Sequence, residues 1–116
     1  MLCVKCDVSV EEDVKAAVDA TVARFGRLDV ALSSAGVILP SQTLTSKDSL
    51  DMARFRKTMD INVFGSVMLA KYSAVAMAKN KPDENGERGL ILFVTSIAAS
   101  EGQRGQVGYS ASKAAL

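Results

Sequence analysis

Tyr109 and Lys113 stand four residues apart in the closing stretch GYSASKAAL. On a helix that spacing puts a phenol and an ammonium on one face. A free phenol ionises only near pH ~10 and is a poor base at neutral pH, but a neighbouring positive charge favours the phenolate. The pair is therefore a candidate device for taking a proton from a hydroxyl or giving one to a carbonyl. Ser96 lies thirteen residues before Tyr109 and offers a hydroxyl that could orient the same oxygen. Each feature also has a plain reading. A Y-x-x-x-K occurs often by chance, and a serine after a strand is usually a cap or a turn.

The chain holds no histidine. That excludes a Ser-His-Asp hydrolase, a Cys-His protease and a His-ligated zinc site within these residues. Acid–base work falls to Asp, Glu, Lys, Tyr or Cys. The two cysteines stand in CVKC. Four ligands are usual for structural zinc and no second pair exists, so no metal site is expected. On a strand, three steps put the two Cα atoms about 10 Å apart, beyond disulfide reach. The expectation is two small buried thiols in a reducing, intracellular compartment.

At 116 residues and 48% apolar composition, the chain is one globular domain or part of one. Its formal charge is +1, with both signs mixed and only 5% aromatic residues. Neither a basic stripe nor stacking aromatics point to nucleic acid. No apolar run approaches the roughly 18 residues of a membrane span, and MLCVKCDV lacks the apolar stretch of a signal peptide.

The elements that must position these groups follow from periodicity. LCVKC reads as a short strand ending at Asp7. SVEEDVKAAVDATVARFG reads as a helix, with Val14, Val18, Val22 and Phe25 on one stripe, Ser9 and Glu12 at capping-box spacing, and Gly26 as its stop. LDVALSSAG is a second strand whose apolar run suits burial on both faces. Residues 48–79 are helical in two segments meeting near Asn62. LILFV is a third strand, TSIAASEGQRGQVG a Gly-rich loop, and YSASKAAL the start of a third helix. Alternating strands and helices call for an open parallel sheet with the three strands adjacent, and a ligand beyond their carboxyl ends. Those ends are Asp7–Val8, Ser33–Gly36 and residues 95–108.

Taken together, the DV after the first strand, SSAG after the second, DINVFG in the long helix, VTSIAA and YSASK occur in one order. By these motifs the sequence resembles the short-chain dehydrogenase/reductase family over its whole length. The resemblance implies an α/β fold, the central part of a Rossmann-like doubly wound parallel sheet. It makes Asn62, Ser96, Tyr109 and Lys113 a catalytic tetrad: Tyr109 for the proton, Ser96 orienting the substrate oxygen, Lys113 beside the phenol and on the ribose, Asn62 anchoring a relay water. It gives the adenine of a nicotinamide cofactor to the Asp7 carboxylate and the Val8 main chain. Ser33, Ala35 and Gly36 line the same cofactor, with Ser33 and Ser34 standing where the family usually has Asn. Gln103 and Gln106 join Ser96 and Tyr109 on the substrate. The resemblance favours NAD and leaves NADP open. It implies a small-molecule alcohol or ketone, foremost a 3-hydroxyacyl-CoA with hydroxysteroids beside it, while the composition and the short apolar runs already argue against nucleic-acid and membrane partners.

The family's opening strand, its Gly-rich turn and the closing strands have no counterpart here, so residues 1–116 read as a partial domain truncated at both ends. Uncovered apolar faces and an inactive piece are expected of it. A non-catalytic interaction remnant is the other class, and a family epimerase or dehydratase a third. The small and apolar residues Gly65, Ser66, Ala70, Ser73, Ala74, Ala76 and Ala78 spread beyond one stripe, and in the family this helix packs on its twin. A homodimer or homotetramer is therefore expected of the full-length protein. The resemblance further implies a mitochondrial location, or failing that a cytoplasmic one.

Overall fold

The computed structural model describes residues 1–116, which form two compact units. The first comprises Met1–Ser33 and Gly65–Phe93, the second Ser34–Phe64 and Val94–Leu116.

In the first unit, α1 (Glu11–Phe25) and α3 (Gly65–Met77) pack on one another and α3 packs on β1 (Val30–Ser33) and β2 (Leu90–Phe93). The strands pair in parallel, Val30 opposite Leu90 through Ser33 opposite Phe93. Val14 and Val18 of the predicted stripe are buried, whereas Phe25 is exposed. α1 ends where expected: Gly26 takes a left-handed φ of 83° and donates to Val22 O at 2.8 Å.

Four expectations are corrected here. Residues 1–6 form no strand, because the segment makes no ladder with either outer edge of the β1–β2 pair; the sheet has two strands, not three. The Ser9–Glu12 capping box does not form. Val10 is the N-cap without a side-chain bond, and the carboxylate Oδ1 of Asp7 accepts from Ser9 N–H at 2.9 Å and Ser9 Oγ at 2.7 Å. The cysteines are not core residues, Cys3 being exposed and Cys6 half-buried. Burial, Asp13 and Asp7 together push the Cys6 thiol up, so it is a poorer nucleophile than a free cysteine. Finally, β1 is not covered on both faces. Ala31 and Ser33 are buried while Val30 and Leu32 are more than half exposed. This fits the separate expectation that apolar sheet surface stays uncovered.

The second unit holds α2 (Met52–Met59), a π-helical turn over Asp60–Phe64, a 3-10 turn over Ile97–Ala99 and α4 (Val107–Ala114). Asp51 caps α2, its carboxylate accepting from the N–H groups of Ala53 and Arg54. α4 packs on α2, on the π-turn and on the 3-10 turn. A bridge between Ser41 and Gln106 joins the long loop after Ser34 to the start of α4.

Candidate active site

The second unit brings Asn62, Ser96, Tyr109 and Lys113 into one packed body. Ser96 sits in extended backbone (φ −156°, ψ 155°) at the mouth of the 3-10 turn. Its Oγ accepts from Ala98 N–H at 3.2 Å, which leaves its own hydrogen to donate. The turn it caps packs on α4, the helix that carries Tyr109 and Lys113.

Lys113 is only 6% exposed. Its Nζ donates to Val94 O at 2.6 Å and lies 5.9 Å from the centre of the Tyr109 ring, with no carboxylate in an ion pair with it. A buried ammonium without a counter-ion is costly unless another group meets it. Its further hydrogens are available to a ligand. Tyr109 is half-buried, and its hydroxyl makes no hydrogen bond within the chain.

Asn62 is fully buried in the π-turn. Such a turn inserts one residue into a helix and re-aims the side chains around it. Asn62 Oδ1 accepts from Val37 N–H at 2.8 Å, and Nδ2 donates to Val37 O at 3.0 Å and Ser112 Oγ at 2.9 Å. Both amide hydrogens are thus engaged, and the side chain serves Val37 as a neighbouring strand would. Ser112, also fully buried, donates onward to Tyr109 O at 2.7 Å. Gly36 runs beside this cluster: a Cβ there would stand 3.3 Å from Asn62 Oδ1 and 3.7 Å from Lys113 Nζ.

Sequence reading missed three participants. Val37 and Val94 act through main-chain atoms, which no side-chain pattern reveals. Ser112 had a signal, its place directly before Lys113 in YSASK, but its partner Asn62 is fifty residues away.

Other expected residues fall elsewhere. Gln103 is exposed in the loop before α4; Gln106 is half-buried as the N-cap, its N–H donating to Gln103 O at 3.0 Å. Ala35 is exposed beside Gly36. In the first unit, Ser33 is buried with its Oγ 2.8 Å from Ser66 Oγ. Asp7 is exposed, its N–H donating to Asp13 Oδ2 at 2.9 Å. Val8 is pressed against α3, where a Cβ on Gly65 would lie 2.8 Å from Val8 O. No His, Cys, Asp or Glu side chains gather in threes to hold a metal ion, and no helix is long and apolar enough to cross a membrane.

An α/β chain with a parallel strand pair thus holds a buried lysine without a carboxylate partner one helical turn from a tyrosine, on a helix that packs against the turn capped by Ser96. The model of the short chain dehydrogenase family matches residues 1–116, and the chain belongs to that family. The 3-hydroxyacyl-CoA dehydrogenase type-2 of Bos taurus is 39% identical over 112 residues, covering 95% of this chain and 43% of that protein. The crystal structure of 3-hydroxyacyl-CoA dehydrogenase type-2 from Mycobacterium avium superposes with a TM-score of 0.88 at 37% identity, over 97% of this chain and 44% of that one. Two ligand-bound structures are also similar. ElxO with NADP bound gives a TM-score of 0.78 at 30% identity, covering 94% of this chain and 40% of that one. NAD+-bound xylitol dehydrogenase gives 0.79 at 28%, covering 95% and 39%. The chain spans less than half the length of the curated relatives it matches.

Proposed function

We propose that the full-length protein containing residues 1–116 is a nicotinamide-dependent oxidoreductase that interconverts a secondary alcohol and its ketone, with a 3-hydroxyacyl-CoA as substrate. Residues 1–116 are then a partial dehydrogenase domain. The observation that carries the reading is Lys113: buried, without a counter-ion, and set beside the ring of Tyr109.

The residues present fit the cofactor. The bare main chain of Gly36 passes the buried ammonium, where a Cβ would crowd Asn62 Oδ1 at 3.3 Å. The ammonium keeps hydrogens for ribose hydroxyls beyond the one given to Val94 O. Lys113, Tyr109, Ala35 and Gly36 would hold the nicotinamide riboside. Asp7 and Val8 are assigned to the adenine and Ser33 to the same cofactor, with Val8 seated by Gly65. NAD is the proposed form, and the relatives include binders of both NAD and NADP. When bound, the nicotinamide takes up or supplies the hydride.

The chain's own groups handle the proton. Tyr109 Oη takes it from the substrate hydroxyl in oxidation and returns it to the carbonyl in reduction. Ser96 Oγ donates to the same substrate oxygen and fixes its direction. Lys113 Nζ, 5.9 Å from the centre of the Tyr109 ring, places a positive charge beside the phenol. Asn62 locks the Val37 loop and the Tyr109 turn through its saturated amide; its link to a relay water would run through its main chain. Gln103 and Gln106 are assigned to the substrate by the family resemblance.

The test follows NADH absorbance with acetoacetyl-CoA in the full-length protein, with a hydroxysteroid as comparison substrate. Turnover of the thioester that disappears in Tyr109→Phe supports the mechanism, and turnover unchanged in that variant rejects it.

The proposed oligomer uses α3. Gly65, Ser66 and Ser73 are buried within the first unit, but Val67, Ala74 and Val75 are exposed on the helix around Lys71, and Ala78 is exposed just past its end. That outward apolar face suits a second copy of the helix in a homodimer or homotetramer; a full-length protein that sediments as a monomer at micromolar concentration would count against it. A mitochondrial location follows from the same resemblance, with the cytoplasm as the alternative that cell fractionation separates.

A further inference from the structure

We propose that the groove between residues 42–44 and 103–107 of the second unit is a subsite for the phosphate-bearing tail of the substrate, with Arg104 as its charge partner. The inference rests on the thioester reading above and deepens it, because a hydroxysteroid carries no such tail.

The groove has a volume of about 430 Å³. One wall is Gln42, Thr43 and Leu44, the other Gln103 and Arg104. The walls are tied together: Ser41 N–H donates to Gly105 O at 2.9 Å, and Ser41 bridges to Gln106. The groove is therefore a fixed feature of two joined loops. Its lining suits a long polar chain, with amides and a hydroxyl from Gln42, Gln103 and Thr43 and apolar surface from Leu44, which is 76% exposed.

Its charge is one-signed. Arg104 is the only charged residue of the lining. Glu101 is the only acid of residues 94–106, and it makes no ion pair with Arg104. Val107, the first residue of α4, closes the groove. The Arg104 guanidinium thus sets a positive charge in a cleft whose lining holds no acid, and a guanidinium pairs with phosphate through parallel N–H bonds. Gln103, already assigned to the substrate by resemblance, lines the same cleft.

The test compares acetoacetyl-CoA with the neutral acetoacetyl-N-acetylcysteamine thioester in the full-length protein and its Arg104→Gln variant. The ratio of kcat/KM for the charged over the neutral substrate falls about tenfold in the variant, through KM. Arg104→Lys retains part of the preference. An unchanged ratio overturns the proposal. A second arm needs no turnover: the Kd of free coenzyme A, by calorimetry, weakens about tenfold in Arg104→Gln, and wild-type affinity falls with added salt. Equal Kd values in the two proteins overturn the subsite. Turnover of the neutral thioester with no dependence of coenzyme A binding on Arg104 leaves the oxidoreductase standing and removes the subsite. Absence of turnover on either thioester removes the oxidoreductase, and the coenzyme A arm then decides the subsite alone.

Discussion

Each unit of this protein sets a lysine beside a tyrosine, and the two pairs differ in everything except residue type. In the first unit, Lys71 Nζ lies 4.8 Å from the centre of the Tyr72 ring, and both groups reach Glu11 Oε1 at 2.7 Å. The lysine is solvated and neutralised. In the second unit, Lys113 is buried, bonded to a main-chain carbonyl and free of any carboxylate. A solvated, paired charge is screened and exerts little on its surroundings. A buried, unpaired one acts on whatever enters beside it. Burial and the missing counter-ion, more than the residue pair, mark the second site as the one fit for chemistry.

The comparison breaks most readily at the phenols. Tyr109→Phe in the full-length protein lowers kcat about a thousandfold, while Tyr72→Phe leaves it unchanged; steady-state kinetics with acetoacetyl-CoA reads both. At the ammonium groups, Lys113→Ala lowers turnover and also weakens cofactor binding, measured by quenching or calorimetry. Lys71→Ala changes neither.

A smaller contrast lies in two buried asparagines. Asn80 of the first unit donates through Nδ2 to Leu28 O and Arg88 O, both at 2.7 Å. Asn62 clamps Val37 and Ser112. Replacing either by Ala leaves part-buried main-chain groups without partners, at a cost of about 1 kcal/mol in chemical denaturation. Only Asn62→Ala should also depress kcat, since its partners run on to Tyr109.

The smallest effect concerns Glu11. The hydrogen bond from Lys71, then that from Tyr72, holds the Glu11 carboxyl below the usual carboxylate range. The hydrogen bond to Glu11, then that to Tyr72, pushes Lys71 above the usual ammonium range. The Glu11 contribution is present above the carboxylate's unfolded pKa and is lost as pH falls through the folded one. The Lys71 contribution is full below the ammonium's unfolded pKa and is lost as pH rises through the folded one. Urea midpoints of Glu11→Gln therefore sit slightly below wild type at neutral pH and merge with it in acid. A difference that grows in acid would contradict this assignment.

Much of the fold was legible because its signals are local. The spacing of Val14 and Val18 marked the buried face of α1, Gly26 its end, and the apolar runs marked β1 and β2. The break near Asn62 proved to be a π-turn at that residue. Local signals failed where a neighbour was needed. LCVKC has the composition of a strand, but a strand exists only with a ladder partner, and none forms. The same gap explains the cysteines: apolar residue type predicts burial, and Cys3 has nothing packed over it.

The sequence by itself determined the order of elements, the four-residue spacing of Tyr109 and Lys113, and the family. These depend on side-chain identity along the chain, which is what a sequence records. Only the tertiary structure decided that Lys113 is buried on Val94 O, that Asn62 gives its whole amide to Val37 and Ser112, and that Arg104 lines a groove between two joined loops. Two of those arrangements run through main-chain atoms, and every residue has the same ones. Their partners are therefore chosen by long-range packing and leave no mark in the order of amino acids.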